Sequence, residues 1–120
     1  MRILVTGGAG FLGSHLVDRL TGDGHRALVL DDLSTGRVAH LAGSWRGMAF
    51  RRGSVLDPAL VTELVGGCDR VVHLASPVGV ERIVARPEET ERVIAGGGRA
   101  VLAAATALGV PCVVVSSSEV

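Results

Sequence analysis

The chain has 120 residues, of which 48% are hydrophobic, and twelve basic residues balance twelve acidic ones. That is enough for one domain with a real core, and the neutral balance removes any argument for a nucleic-acid or acidic-membrane partner. No apolar run approaches the ~20 residues of a membrane span, and the N-terminus enters a strand without a signal-peptide pattern, so a cytoplasmic location is expected.

The first apolar stretch, Ile3-Leu4-Val5, predicts a strand over Arg2–Val5. It runs directly into Thr6-Gly7-Gly8-Ala9-Gly10-Phe11-Leu12-Gly13, which has the spacing of a dinucleotide phosphate loop. Gly7 falls where the strand must turn sharply, Gly10 where backbone must approach a pyrophosphate, and Gly13 where a helix must pack close on the sheet. Leu12, Leu16 and Leu20 recur every fourth residue, which predicts a helix from Phe11 to about Thr21 with a buried face, ended by Gly22 and Gly24. Its free N–H groups and positive dipole end make an anion site that needs no Lys or Arg. Phe11 and Leu12, in the first turn, join the glycines as expected cofactor contacts. A plain glycine-rich turn between strand and helix is the competing reading.

A second strand is expected over Ala27–Leu30, and Asp31 closes it near the spacing at which an acid accepts the ribose hydroxyls of the cofactor. A carboxylate there repels a 2′-phosphate and favours NAD over NADP, although the guanidinium of Arg37 could meet such a phosphate. Asp32, Ser34 and Gly36 of the following turn complete the expected contacts at this end, Asp32 being also a plain turn initiator. A short turn-rich piece near Val38–Leu41 precedes a third strand, Met48–Arg51. Past it, Ser54 and Val55 lie where an adenine ring would rest. Asp57 before Pro58 is an N-cap signal, with a helix to Val65.

A fourth strand, Arg70–Leu74, ends in His73-Leu74-Ala75-Ser76-Pro77-Val78, where the small residues around Leu74, Ala75 and Ser76 would let the cofactor lie flat across the sheet. His73 by itself reads more as a packed strand residue than as a catalyst. A long helix is expected from about Glu88 to Leu108, weakened or irregular at Gly96-Gly97-Gly98 and stopped by Gly109 and Pro111. The fifth strand, Cys112–Val115, runs into Ser116-Ser117-Ser118-Glu119-Val120, three hydroxyls and a carboxylate facing the crevice. Strands alternating with helices predict an α/β fold, a doubly wound parallel sheet of about five strands in order 3-2-1-4-5, with the crevice at the carboxyl ends of strands 1 and 4. Cys68 and Cys112 belong to no paired-Cys motif and are expected as reduced thiols, and the four His residues show no metal-ligand spacing.

Four segments together resemble a known family: TGGAGFLG at Thr6–Gly13, LDDLSTG at Leu30–Gly36, HLASPVGVERIVARP at His73–Pro87, and SSSEV at Ser116–Val120. They resemble the N-terminal part of the extended short-chain dehydrogenase/reductases, the NAD-dependent sugar-nucleotide epimerases and dehydratases, with wording most similar to UDP-glucuronate decarboxylases and 4,6-dehydratases. The resemblance implies a Rossmann-type fold, NAD as cofactor, a nucleotide sugar as substrate, and transient oxidation at sugar C4. It implies catalytic roles for Ser117, which would donate a hydrogen bond to the C4 oxygen, and for Ser118 and Glu119. It also implies a homodimeric parent enzyme.

Departures from the family pattern stand beside the matches. Ser54 replaces an Asp that contacts adenine, and Ile94 with Gly97-Gly98 replaces an Asn and a Gly-Thr pair. The chain holds no Tyr, and all twelve basic residues are Arg, so the family's acid/base Tyr and its ribose-holding Lys are not in it. The expectation is a fragment that binds NAD without turnover and exposes an apolar edge at its last strand, prone to self-association. A non-catalytic NAD-binding sensor or partner module is the alternative.

Overall fold

The computed structural model describes residues 1–34, 36–75 and 87–115. Five strands form one parallel sheet: β1 (Arg2–Thr6), β2 (Arg26–Asp31), β3 (Met48–Arg52), β4 (Arg70–His73) and β5 (Cys112–Val114). Their order is β3-β2-β1-β4-β5, as the crossover rule predicts, and every strand end lies within one residue of its sequence-based position. The connections are α1 (Phe11–Gly22), a 3-10 segment (Val38–Gly47), α2 (Pro58–Gly66) and α3 (Pro87–Leu108).

Both faces of the sheet are covered, which is why its strands are apolar at consecutive rather than alternate positions. Along β1, Ile3 and Val5 point to one layer with Ala27, Val29, Val17 and Leu41, while Leu4 points to the other with Leu30, Val61, Val65, Val71 and Val101. Burying each such Leu or Val contributes about 1.5–3 kcal/mol, so the central strands anchor both layers.

Helix ends follow the sequence signals closely. Asp57 accepts the N–H of Leu60 at 3.3 Å and Pro58 opens α2. Gly24 (φ +89°) and Gly109 (φ +68°) terminate α1 and α3 in the left-handed conformation. Each is followed by a residue whose N–H reaches back to the last turn, His25 to Leu20 and Val110 to Ala105.

Three expectations are corrected. The buried face of α1 runs through Gly13, Ser14 and Val17, with Leu16 and Leu20 at its margins, whereas Leu12 is 58% exposed. Two successive turns of the helix pack on the sheet, and Leu12 lies on the side turned away from it. The piece after β2 is a ten-residue 3-10 run rather than a short turn. It can lie against α1 because Gly47 faces Thr21, where a Cβ would stand 2.9 Å from the Thr21 side chain, and because the buried Ser44 hydroxyl donates to Asp18. Finally, Gly96-Gly97-Gly98 does not interrupt α3. A Cβ on Gly97 would lie 2.6 Å from Val55 Cγ2, and one on Gly96 would lie 2.9 Å from Leu56 Cδ2, so these glycines seat the helix on the loop after β3.

Candidate functional site

The carboxyl ends of β1 and β4 are adjacent, with Thr6 opposite His73 in the register, and the helices that follow these two strands, α1 and α3, pack on opposite faces of the sheet. That is the topological switch point where open α/β sheets place their ligands. At the end of β1 the chain turns at Gly7 (φ +74°), whose N–H donates to the Leu30 carbonyl at 2.8 Å. A side chain at Gly7 would be strained by that φ and would meet the Ala75 backbone nitrogen at 2.8 Å. A Cβ on Gly13 would overlap the Gly7 carbonyl oxygen and stand 2.7 Å from Gly8 Cα, so α1 closes onto the turn only because Gly13 has none.

Gly10 is different. Among the described residues a Cβ there would meet the Gly7 carbonyl oxygen alone, at 3.4 Å, and would otherwise project into open space, which leaves room for a phosphate to approach. Gly10 is also the N-cap of α1 and supplies no side-chain cap. The first bond of the helix runs from the Ser14 N–H to the Gly10 carbonyl at 2.9 Å. The N–H groups of Phe11, Leu12 and Gly13 therefore have no acceptor within the helix, and the positive dipole end gathers there. Phe11 and Leu12 are 80% and 58% exposed beside them. Thus the residues present fit a dinucleotide pyrophosphate, with donors from backbone alone.

Asp31 closes β2 and is buried. One carboxylate oxygen accepts the Ala9 N–H at 3.0 Å and the other the Leu33 N–H at 2.8 Å. The acid therefore ties the phosphate loop to the end of β2, a role its spacing alone did not reveal. Each oxygen retains a second lone pair for a ribose hydroxyl. Leu33 is held at φ +63°, an unusual conformation for a branched side chain, by that same bond from Asp31. Gly36 packs under the loop, where a Cβ would stand 2.9 Å from both Asp31 Oδ2 and the Ala9 carbonyl carbon. Asp32 is exposed and accepts the Ser34 N–H at 2.9 Å, the turn-initiating role that competed with cofactor contact in the sequence. Arg37 is exposed and donates its backbone N–H to the Ala9 carbonyl at 3.0 Å.

At the adenine end, Ser54 Oγ accepts the Leu56 N–H at 3.0 Å, and the Val55 side chain is buried in the core under Gly97. Any contact Val55 makes with a ligand is therefore through its backbone. Leu74 and Ala75 follow β4, and both N–H groups reach the Thr6 hydroxyl, at 3.1 and 3.2 Å. Ser76, Ser117, Ser118, Glu119 and the side chain of Ile94 lie outside the described residues.

Sequence reasoning missed two residues of the site. His40 Nδ1 bonds the Ala9 carbonyl at 2.8 Å, so the Ala9 peptide is held on both edges, by Asp31 on one side and by Arg37 and His40 on the other. Thr6 was read only as the first letter of the loop, yet it is fully buried and joins β1 to β4 through its side chain. A lone His after an irregular segment carries no spacing signal, whereas a hydroxyl in an apolar strand could have flagged Thr6. Burial pushes the thiols of Cys68 and Cys112 above the usual cysteine range, and both are free. Among the described residues no group of three or more His, Cys, Asp or Glu could hold a metal ion, and no helix is long and apolar enough to cross a membrane.

A doubly wound sheet whose first turn carries these glycines, with an acid at the end of the second strand, is a Rossmann-type fold. The chain belongs to the NAD dependent epimerase/dehydratase family, which it matches over residues 3–120. It is 36% identical over 122 aligned residues to UDP-glucuronic acid decarboxylase 1 of Arabidopsis thaliana, covering 100% of this chain and 27% of that protein. To UDP-glucose 4-epimerase of Mycolicibacterium smegmatis it is 41% identical, covering 98% of this chain and 39% of that one. Among solved structures it superimposes on the DesIV dTDP-glucose 4,6-dehydratase of Streptomyces venezuelae, with NAD and TYD bound, at a TM-score of 0.85. Sequence identity there is 34%, over 92% of this chain and 37% of the other. The chain therefore spans well under half the length of the relatives it matches.

Proposed function

We propose that this chain binds NAD and forms the cofactor-binding part of a sugar-nucleotide epimerase, dehydratase or decarboxylase that works by transient oxidation at sugar C4. The observation that carries the reading is the uncapped first turn of α1 laid over the Gly7–Gly13 turn, with Asp31 at its edge. Family membership supports it, as do relatives named for chemistry on UDP- and dTDP-sugars.

In this reading the N–H groups of Phe11, Leu12 and Gly13 hold the pyrophosphate, and Asp31 accepts the adenosine ribose hydroxyls while repelling a 2′-phosphate. Ser34 and Gly36 line the ribose end, Ser54 and Val55 offer backbone to the adenine, and Leu74, Ala75 and Ser76 form the floor. Bound NAD supplies a reversible hydride acceptor. Ser117 is assigned the hydrogen bond to the C4 oxygen, with Ser118 and Glu119 serving the chemistry that follows.

Calorimetric titration with NAD and with NADP tests the cofactor assignment. NAD should bind the more tightly, and equal dissociation constants would overturn it. Incubation with NAD and either UDP-glucose, UDP-glucuronate or dTDP-glucose, with products read by mass and by sugar composition, tests the reaction class. Conversion of none of the three by the natural full-length polypeptide would reject the sugar-nucleotide reading.

A further inference from the structure

At the switch point, inward of the cofactor loop, His73 is only 4% exposed and its Nδ1 lies 2.6 Å from the Thr6 hydroxyl oxygen. A hydroxyl has one proton to give and two lone pairs to receive. The Ala75 N–H reaches Thr6 Oγ1 at 3.2 Å, and the Leu74 N–H divides between Thr6 Oγ1 at 3.1 Å and the Thr6 carbonyl at 3.0 Å. With both acceptor directions taken by amides, the hydroxyl proton is left for the imidazole. Nδ1 is therefore the acceptor, and the ring proton sits on Nε2.

We propose that His73 is a positioning residue for the cofactor crevice: as the neutral Nε2-protonated tautomer it takes the proton of Thr6, and so fixes the hydroxyl as the acceptor that seats Leu74–Ala75 against Gly7. Its consequence for cofactor binding rests on the NAD reading above, but the tautomer does not. The seat is tight, since the Ala75 nitrogen stands 2.8 Å from where a Gly7 Cβ would be. A displaced Ala75 would press directly on the first turn of the phosphate loop.

Protonation would break this arrangement. An imidazolium donates from Nδ1, so Thr6 would have to turn its own proton away, into directions already filled by two N–H groups. Nothing charged offsets that cost among the described residues around the ring: Thr6 faces it from β1, Val114 is its register partner on β5, and Gly97 of α3 passes over it, a Cβ there being 3.8 Å from His73 Cε1. Burial alone pushes the imidazole below its ordinary value of 6.5.

Nitrogen-15 NMR of the imidazoles tests the tautomer, and His73 should show a bare Nδ1 and a protonated Nε2. NAD titrations from about pH 8 to about pH 5 test the consequence. Wild type should lose affinity as the pH falls through the lowered value of the folded imidazole, below its ordinary 6.5. His73→Asn, whose carbonyl can take the Thr6 proton without titrating, should bind within about twofold of wild type at neutral pH and lose that pH dependence. His73→Leu should bind about tenfold more weakly at every pH. A proton on Nδ1, or a His73→Leu protein that binds as wild type does, would overturn the proposal. Should wild type bind no NAD, the cofactor reading falls, and exchange of the Ala75 amide decides the rest. It should be slow in wild type and His73→Asn and faster in His73→Leu, and equal rates in all three would overturn the positioning role.

Discussion

The Asp31 carboxylate accepts the Ala9 N–H at 3.0 Å, so the acid at the end of β2 and the glycine loop at the end of β1 are one hydrogen-bonded unit. In the proposed reading, cofactor selectivity and loop shape reside in the same side chain. Asp31→Ala should leave the Ala9 and Leu33 N–H groups without their acceptor, at about 1–3 kcal/mol for each that stays buried. Stability should drop in urea denaturation, and NAD should bind more weakly while the gap between NAD and NADP narrows. A variant as stable as wild type would separate the acid from the loop.

Gly13→Ala places a methyl group onto the Gly7 carbonyl oxygen and 2.7 Å from Gly8 Cα. Both obstacles are backbone, so neither can swing aside. A loss of about 1–3 kcal/mol is expected from this overpacking, with a matching fall in the thermal midpoint.

Within the glycine triplet of α3, neighbouring substitutions should have opposite signs. Gly98→Ala meets nothing within 4 Å among the described residues and should stabilise by up to about 1 kcal/mol through helix propensity. Gly97→Ala meets Val55 Cγ2 at 2.6 Å and should destabilise despite the same propensity gain. Denaturant midpoints of the two single variants check the contrast.

Asp57→Ala removes the acceptor of the Leu60 N–H at the start of α2 and should cost about 1 kcal/mol, without altering NAD affinity beyond what global stability explains. Calorimetry beside urea denaturation separates the two effects.

The buried His73 also sets a direction for stability against pH. Its imidazole titrates below 6.5 in the folded chain and near 6.5 in the unfolded one. As pH falls through that interval the unfolded state binds more protons, so folding stability declines, and the decline ends below the folded value. Above 6.5 both states are neutral at this residue and it adds no slope. Urea midpoints at stepped pH should show the loss in wild type and a shallower one in His73→Asn.

Legibility in the sequence followed the range of the interactions. The strands, the Asp57 cap and the Gly109 stop were readable because each rests on apolar runs, propensity or capping within a few residues of chain, and the order of the sheet because the crossover rule leaves few arrangements of those strands. The spacing of Gly7, Gly10 and Gly13 was readable for the same reason, and the overlap that a Cβ on Gly13 would make supplies its physical cause. The helical stripe through Leu12 misled because periodicity marks a face without saying which edge of it the sheet covers, and the face settled one position further on, around Gly13 and Val17.

From its local patterns alone this chain specifies a doubly wound parallel sheet, a dinucleotide loop and the acid at the end of the second strand. Only the tertiary structure decides what those parts do to one another. Asp31 meets Ala9 across 22 residues, Thr6 meets His73 across 67, and Gly97 meets the Val55 side chain where a Cβ would not fit. Contacts between residues so far apart depend on which strands lie side by side and how closely helices approach them. No local pattern encodes that distance, because it is set by packing the whole sheet between its two layers.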